Sequence, residues 1–464
     1  MTSNSPSLED IRKEISERMP TAIETLKELV RIPSVSWDGF DPERVKETAQ
    51  NIAARLERTG LFQTVKIVSE PWAVGDGQGQ PAVLARREPK PGYPTVMLYA
   101  HHDVQPPGET VAWDGEPFEP EIRDGRMYGR GAADDKAGVV VHLTALETLK
   151  DTLTDPNIGI VMFIEGEEEY GSKSFPEILS RHRELLQSDI IIVADSDNRS
   201  VDIPSLTVSL RGNVAFKLTV STLEHASHSG MLGGAVPDAM MAAMTIVSRF
   251  YKEDGSVAIA GLHSHDAPVP NFESAELAHD SGLLPGVTEI GEGPILSKIW
   301  FKPAISVTGI DAPSVQNASN TLIPSVSLKV SVRIAPGQTA NDAFEAIKAH
   351  IVETAPWGAK VEFGQPDLGN PFLVDTSGSA AALELGALRD AWDGEEPLLA
   401  GVGGSIPFVA DLVSVFPEAQ ILITGVEDPE SRAHSPNESL SLKVLERAVI
   451  AESLFLIRLE KRED

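Results

Sequence analysis

The fold class of this chain of 464 residues is indicated most clearly by the segment Pro94-Thr95-Val96-Met97-Leu98-Tyr99-Ala100-His101-His102-Asp103. Its apolar run stops at two histidines and an aspartate, and such an unbroken run is typical of a strand buried on both faces. Two similar runs follow at residues 159–164 and 189–194, and a helical pattern over residues 136–150 stands between the first strand and the second. Strands that alternate with helices predict a largely parallel sheet with helices on both sides.

The flanking segments repeat this alternation. Ser7 and Asp10 resemble a capping box ahead of a helix that reaches Val30, and Pro20 predicts a break or a restart within that helix. The other predicted elements are helices over residues 42–59, 377–392 and 442–459 and strands over residues 65–68, 81–86 and 419–425. Gly60 is the predicted end of the second helix, because glycine adopts the left-handed conformation that ends many helices.

The middle of the chain follows a different pattern. Residues 213–221 and 325–333 alternate as half-exposed strands, and residues 251–302, which are rich in Gly, Pro, His and acidic residues, predict loops. The apolar face of the second strand comprises Val326, Leu328, Val330 and Val332. Helices are predicted over residues 237–251 and 340–352, with a short strand over residues 360–363. We therefore expect an α/β domain with a doubly wound, mostly parallel sheet (residues 1–209 and 373–464), interrupted by an inserted α+β domain (residues 210–372).

The composition excludes several classes of function. The net charge is −30, from 39 basic and 69 acidic residues, whereas binding to nucleic acid or to an anionic membrane surface needs a basic face. The chain has no cysteine, which excludes disulfides, thiol catalysis and zinc fingers and leaves His, Asp and Glu as metal ligands. The acidic N-terminus lacks a signal pattern and no apolar run approaches the ~20 residues of a membrane span, so we expect a cytoplasmic protein.

Four polar clusters stand out, and open α/β sheets place their sites where strands end. In the first cluster, His101 and Asp103 alternate in an extended chain and so point the same way. An imidazole that binds a metal commonly donates its other N–H to such a carboxylate. In the second cluster, residues 129–136, Asp135 alone is explained as a helix N-cap. With Asp134 beside it behind a Gly-rich turn, one of the two acids is free to face a cleft.

The third cluster, residues 165–172, directly follows a buried strand, so its glutamates converge where that strand ends. A charge run usually marks a solvated face, but such crowding is costly without a cation. It is explained if one glutamate binds a metal and a neighbour takes a proton from water. The fourth cluster holds Asp195 and Asp197, and His434 lies far downstream before a helix. Two histidines and three or more carboxylates, without sulfur, suit a pair of divalent ions such as zinc or manganese.

These motifs resemble those of the dinuclear metallopeptidases of peptidase family M20, which include aminoacylases, carboxypeptidase G, desuccinylases and carnosine dipeptidases. The resemblance extends from the segment LVRIPSVS at residues 29–36 to HSPNE at residues 434–438. The dipeptidase branch fits best because of HHDVQP at residues 101–106, DDK at residues 134–136 and GGSIP at residues 403–407. The resemblance implies that the inserted block is a lid and dimerisation domain on a catalytic α/β domain.

The resemblance also implies roles for individual residues. Glu168 matches the general base, and Asp103 matches the acid that orients a metal-binding histidine. The implied metal ligands are His101, Asp134 as the bridging carboxylate, Glu169, Asp195 with Asp197 as its rival, and His434. His228 matches a histidine that reaches the partner subunit's active site, where it polarises the scissile carbonyl. Arg333 matches the residue that grips the substrate carboxylate. Positions near the substrate backbone are matched by Thr321, Gly404 and Ser405.

The implied function is metal-dependent hydrolysis of amide bonds in small peptides, most closely that of a homodimeric dipeptidase with two zinc ions, or with manganese or cobalt instead. A deacylase or desuccinylase that acts on N-acyl amino acids is the alternative, because only the pocket would differ. Where dipeptidases often carry an acid for the substrate ammonium before the Gly-Gly-Ser turn, this chain has Gly401 and Val402. A non-catalytic binding protein on the same fold is disfavoured, because the expected ligands and Glu168 are all present.

Overall fold

The computed structural model describes residues 6–153, 155–266, 269–403 and 407–461. The helices are α1 (Leu8–Val30), α2 (Pro42–Thr59), α3 (Lys136–Thr152), α4 (Phe175–Arg181), α5 (Arg183–Leu186), α6 (Ser229–Leu232), α7 (Ala239–Ser248), α8 (Ser274–Ser281), α9 (Ile295–Trp300), α10 (Ala340–Thr354), α11 (Ser379–Ala391), α12 (Pro407–Val415) and α13 (Leu442–Glu460). The strands are β1 (Thr64–Val68), β2 (Ala82–Arg87), β3 (Thr95–His101), β4 (Glu121–Arg123), β5 (Arg126–Tyr128), β6 (Gly159–Glu165), β7 (Ile190–Val193), β8 (Ser205–Leu210), β9 (Gly212–Ser221), β10 (Ser227–His228), β11 (Ala304–Asp311), β12 (Thr321–Leu322), β13 (Ser325–Ile334), β14 (Lys360–Phe363), β15 (Asp367–Gly369), β16 (Phe372–Leu373), β17 (Leu398–Val402), β18 (Gln420–Ile423) and β19 (Ser439–Ser441).

The chain divides into two compact units. The first consists of Met1–Val208, Val374–Ala400 and Asp411–Asp464, and the second of Ser209–Leu373 and Gly401–Ala410. The second unit thus also includes residues 401–410, a short segment downstream of its main part that the periodicity of the sequence does not predict. Within the described ranges, no helix combines the length and the apolar character that crossing a membrane requires.

The first unit is built on a mixed sheet with the strand order β1-β2-β6-β3-β7-β18-β8. The central strands β6, β3, β7 and β18 run parallel to one another, whereas β1, β2 and β8 are antiparallel to their neighbours. The stretch that begins at Pro94 forms β3 in the middle of this sheet, and all seven strand residues are buried. The α/β fold class is therefore confirmed, with the parallel pairing confined to the centre of the sheet.

Alternate residues of the central strands face two different layers. Val96 and Leu98 belong to the main core, which they share with residues of α1, α2, α3, α11 and α13. Tyr99 packs on the opposite face against Phe163 of β6 and Phe175 of α4, with ring centroids 5.4 and 6.1 Å apart. Burial on both faces explains why the apolar run is unbroken, since each such side chain contributes about 1.5–3 kcal/mol.

The predicted capping residues of α1 and α2 are confirmed, but the predicted break within α1 is absent. The Asp10 main-chain N–H donates to Ser7 Oγ at 3.2 Å and the Asp10 carboxylate accepts from the Ser7 main-chain N–H at 3.0 Å, which confirms the capping box. Gly60 ends α2 with φ of 67°. The predicted break at Pro20 is wrong, because the buried apolar face of α1 continues on both sides of Pro20 and outweighs one missing N–H donor.

The second unit contains an open-faced five-stranded sheet in the order β11-β13-β9-β14, with β15 beside β9. Side chains of α7 and α10 pack on one face. The predicted apolar face of β13, which includes Val326 and Val332, is buried there. The prediction of loops over residues 251–302 is wrong for α8 and α9, which have eight and six residues and are too short to show a periodic pattern.

A buried group of titratable side chains lies behind the sheet of the first unit. His142 Nδ1 lies 2.8 Å from Glu452 Oε2, and His142 Nε2 lies 3.0 Å from the main-chain oxygen of Tyr99. Glu384 of α11 is 3% exposed, and its Oε2 has no hydrogen-bond partner among the described residues. Burial, together with the charge of Glu452, raises the pKa of Glu384 to about 8.

We expect the substitution Glu384→Gln to stabilise the protein at alkaline pH. As pH rises from the ordinary value of 4.5 to about 8, the folded chain keeps a proton on Glu384 that the unfolded chain has lost. Stability therefore falls across this range, by an amount on the order of a few kcal/mol. The melting temperature of the variant should exceed that of the wild type at about pH 8.5, and the difference should shrink towards about pH 5. The exposed Glu395→Gln is the control, and parallel melting profiles for Glu384→Gln and wild type would contradict the expectation.

Candidate metal centre

The first part of the site follows directly from β3. His101 Nδ1 lies 3.1 Å from the main-chain oxygen of Asp103 and 3.4 Å from its carboxylate Oδ1, so the main chain is the nearer partner. The Asp103 carboxylate accepts hydrogen bonds from Ser36 Oγ at 2.6 Å and from the main-chain N–H groups of Glu168 and Glu169, both at 3.1 Å. Asp103 thereby holds the His101 ring and the start of the glutamate turn in one place.

The Asp134 carboxylate lies between two histidines from distant parts of the chain. Its Oδ1 is 3.1 Å from His101 Nε2, and its Oδ2 is 2.9 Å from His434 Nε2. Glu169 Oε2 lies 3.2 Å from the same nitrogen of His434, and Asp195 Oδ1 lies 3.9 Å from His101 Nε2. Asp134 thus links the two histidines, and each histidine has a further carboxylate nearby, Asp195 beside His101 and Glu169 beside His434.

Asp135 has a different task from its neighbour, and the peptide bond between the two is cis. Its Oδ1 accepts the main-chain N–H of Gly138 at 3.1 Å and so caps α3, and its Oδ2 accepts the main-chain N–H of His101 at 3.1 Å. An oxygen of Asp135 also lies within 4.8 Å of potential ligand atoms of His101 and Asp195. Asp134 is thus the acid that faces both histidines.

A small sheet brings His434 to Asp134. Strand β19 pairs antiparallel with β5, with Ser439 opposite Tyr128, and β4 completes the sheet. The segment before β19 therefore lies beside the segment after β5. His434 has φ of 62°, a left-handed conformation that is uncommon outside glycine and often found at functional sites.

Glu438 holds the main chain around Asp134. Its buried carboxylate accepts the main-chain N–H groups of Gly131, Ala133 and Asp134 at 3.1, 2.9 and 3.1 Å. The guanidinium of Arg130 donates to the same carboxylate at 2.6 Å. Four donors satisfy a charge whose burial would otherwise be costly. In the sequence Glu438 is only the last residue of the motif HSPNE. Its role could not be predicted, because its partner Arg130 lies 308 residues away.

The glutamates of the third cluster divide into two kinds. Glu165 and Glu167 are fully buried and bind structural groups. Glu165 Oε2 accepts the Tyr99 hydroxyl at 2.6 Å, and the Glu167 carboxylate accepts the main-chain N–H groups of Ser174 at 2.5 Å and Gln80 at 3.1 Å. These two residues therefore shape the turn, which leaves Glu168 and Glu169 for the site.

The pKa values of the acids Glu168, Glu169 and Asp195 are raised, and such a site favours a bound positive charge. Burial, with the charge of Asp134, raises the pKa of Glu169 to about 7 and that of Asp195 to about 6. Burial also raises the pKa of Glu168 well above its usual range. Hydrogen bonds to Asp134 and Glu169 raise the pKa of His434 to about 11. The carboxylates of the group outnumber its imidazoles, and a donor set of nitrogen and oxygen fits divalent cations.

The geometry favours Asp195 over Asp197 as the fourth-cluster ligand. Asp195 offers an oxygen within 4.8 Å of potential ligand atoms of His101 and Asp135, whereas Asp197 is exposed. The main chain of Asp197 instead forms an isolated parallel bridge with Glu427. Asn198 is buried, and its main-chain N–H donates to the Glu427 carbonyl at 2.8 Å.

Three further predicted residues lie in the second unit. His228 and Thr321 stand opposite each other in the pair β10 and β12, and the exposed His228 accepts the Gly230 N–H at its Nδ1 at 3.1 Å. Arg333 of β13 stands opposite Asn213 of β9. Gly404 and Ser405 lie outside the described residues.

Arg211 is a residue of the second unit that the sequence did not single out. Its guanidinium donates to the carbonyl oxygens of Gly403 at 3.0 Å and Lys302 at 3.3 Å. Burial, with the nearby charge of Arg333, lowers the pKa of Arg211 to about 10. A planar guanidinium suits the binding of a carboxylate.

Known proteins are similar to this chain in sequence and in fold. The model of the family described as Peptidase family M20/M25/M40 matches residues 97–457. The chain is 33% identical over 416 residues to the cysteinylglycine-S-conjugate dipeptidase of Corynebacterium striatum, which covers 89% of this chain and 90% of that relative. The structure of the di-peptidase Dug1p from Saccharomyces cerevisiae matches with a TM-score of 0.78 and 23% identity, covering 99% of this chain and 100% of that chain. Human carnosine dipeptidase 1 matches with a TM-score of 0.78 and 21% identity over the same shares. These two structures show the shared fold.

Proposed function

The chain belongs to peptidase family M20/M25/M40, and we propose that it is a metal-dependent dipeptidase that holds two divalent ions in its first unit. The observation that carries the proposal is the Asp134 carboxylate, whose oxygens lie 3.1 and 2.9 Å from the ring nitrogens of His101 and His434. A carboxylate in that position suits two ions side by side.

The proposed ligands form two sets. One ion would be held by His101, Asp134 and Asp195, and the other by Asp134, Glu169 and His434. Zinc is the first candidate, because imidazole and carboxylate ligands in an open coordination set are typical of catalytic zinc. Manganese and cobalt are the alternatives, since the same donors bind them.

The chain's own residues account for the movement of the proton. When bound, the ions would polarise the scissile carbonyl and lower the pKa of a nearby water. Glu168 is the proposed general base, which takes the proton from the attacking water and returns it to the leaving amine. Its main-chain N–H is fixed on Asp103, and burial lets its carboxyl hold a proton between the two transfers. Asp103 is a positioning residue that orients His101.

A dipeptide is the proposed substrate, because the similar proteins named above are dipeptidases. Arg333 is proposed to bind the substrate carboxylate, a task that suits a planar guanidinium. Thr321, Gly404 and Ser405 are proposed to contact the substrate backbone. A cytoplasmic location remains a prediction from the sequence.

The function is tested with a hydrolysis panel of dipeptides and N-acyl amino acids, assayed with added zinc, manganese or cobalt. We expect the metal-loaded protein to cleave free dipeptides faster than their N-acylated analogues, and chelation to abolish the activity. Faster cleavage of the N-acylated compounds would replace the dipeptidase with a deacylase. No cleavage with any of these metals would contradict both.

We further propose a homodimer formed through the second unit, in which His228 completes the partner's active site. A two-fold symmetric pair is the commonest way to cover an open sheet face. Mixing inactive His228→Ala chains with inactive Glu168→Gln chains should then restore activity after subunit exchange. Half of the dimers would be mixed, and each would carry one site with Glu168 and the partner's His228 intact. Recovery should reach about a quarter of the wild-type rate.

Each variant mixed only with itself is the control and should stay inactive. Absence of recovery, despite exchange demonstrated by differently labelled chains, would mean that His228 acts within its own chain or not at all. A fully active monomer at the assay concentration would also contradict a shared site.

A further inference from the structure

Glu427 lies at the same edge of the sheet as the proposed ligand Asp195. Strand β18 pairs parallel with β7, with Ile423 opposite Val193, so both strands end at this edge. Beyond the strands, Glu427 and Asp197 still form a parallel bridge. Glu427 lies four residues after the end of β18, and Asp197 lies four residues after the end of β7.

Most other acids of this region have hydrogen-bond partners, whereas the Glu427 carboxylate, like that of the proposed base Glu168, has none among the described residues. Asp135, Glu165, Glu167 and Glu438 each accept hydrogen bonds from main-chain or hydroxyl donors. Among the described residues, none makes an ion pair or a hydrogen bond with the Glu427 carboxylate. It is half-buried and lies within electrostatic reach of four carboxylates. These are Asp134, Asp195, Glu438 and Asp197.

A dipeptide needs an anion at such a place. Its free ammonium lies on the carbon next to the scissile carbonyl, so it must approach the metal-binding side chains whenever the carbonyl does. Taking that ammonium out of water is costly unless a carboxylate meets it. The two residues before Gly403 are Gly401 and Val402, and neither carries a charge.

We propose that Glu427 binds the free ammonium group of the dipeptide and so selects unacylated substrates. This inference rests on the proposed dipeptidase function and adds the residue that distinguishes a dipeptide from an N-acyl amino acid. Glu427 is a specificity residue under this assignment, since the two proposed ligand sets and the base Glu168 are complete without it.

The test compares alanyl-glycine with propionyl-glycine, which share the carbon skeleton, the amide bond and the carboxylate and differ only in the ammonium. In Glu427→Gln, kcat/KM for alanyl-glycine should fall by about 10–100-fold, mainly through KM, as expected for the loss of a charged hydrogen bond. The value for propionyl-glycine, or its inhibition constant if it is not cleaved, should stay within about threefold. Metal content should be unchanged. Glu427→Asp, which keeps the charge, should retain part of the preference.

The control is Glu430→Gln, which removes a carboxylate from the same segment at an exposed position that pairs with Arg126 at 3.6 Å. It should leave both substrates unaffected. An equal loss for both substrates in Glu427→Gln, or a loss of metal, would assign Glu427 to the metals and overturn the inference. An unchanged preference would overturn it as well. If the wild type cleaved no dipeptide at all, the proposed function would fail first and the inference with it.

Discussion

Replacing Glu168 by glutamine is expected to lower turnover by about 10²–10⁴-fold while metal content stays nearly intact. Glutamine keeps the size of the side chain and can still hydrogen-bond to water, but it cannot accept a proton. The Glu168 main chain is held by Asp103 and its neighbour Glu169 by Gln105, so the turn should survive the change. Steady-state kinetics and metal analysis on the same preparation measure both quantities.

The control for this variant is Glu177→Gln, which removes an equal charge from α4, where Glu177 pairs with Arg181 at 3.0 Å. It should be fully active. Near-normal turnover of Glu168→Gln would mean that another group accepts the proton. Glu167 is poorly placed for that task, because the main-chain N–H groups of Ser174 and Gln80 donate to its two carboxylate oxygens.

The second large effect is expected for Asp134→Asn, which should lose both ions and all measurable turnover. An amide has one neutral oxygen in place of two charged ones and cannot serve two ions. Changes to groups behind a ligand already cost about 10–100-fold in metal affinity, so loss of a shared ligand should exceed that. Metal content per chain after dialysis against metal-free buffer measures it. His434→Ala is the matched comparison, because it should lose one ion and keep the other.

Retention of two ions by Asp134→Asn would contradict the bridging role. Loss of only one ion would mean that Asp134 binds one of the two ions and not both. Circular dichroism of the variant would detect general unfolding, which needs checking because Asp134 is buried and Glu438 binds its main-chain N–H.

The fold was largely predictable because both units carry strong periodic patterns. Unbroken apolar runs identify β3, β6 and β7, since only strands covered on two faces leave no room for polar positions. The alternation of apolar and polar residues identifies β13 as a strand covered on one face. The antiparallel edges of the first sheet could not be predicted, because pairing direction depends on long-range topology and leaves no mark in a single strand. Helices α8 and α9 were missed because helices of eight and six residues are too short to show a periodic pattern.

The candidate site was predictable where the chemistry is local and unpredictable where it depends on tertiary contacts. His101 and Asp103 stand two residues apart at a strand end, so their joint direction follows from backbone geometry alone. Glu438 and Glu427 were not assigned roles, because their surroundings come from segments far away in the chain. The separation of Asp134 from Asp135 likewise required knowing which oxygen atoms face the histidines and which cap α3.

Anomalous X-ray diffraction at the absorption edge of the bound metal would locate each of the two proposed ions. The dinuclear centre predicts two peaks per chain, at about 2.0–2.3 Å from their ligand atoms. One peak should lie against His101, Asp134 and Asp195, and the other against Asp134, Glu169 and His434. Contact with Asp197 in place of Asp195 would correct that one ligand. The absence of metal peaks from crystals of active protein, or a single peak that does not touch Asp134, would contradict the account.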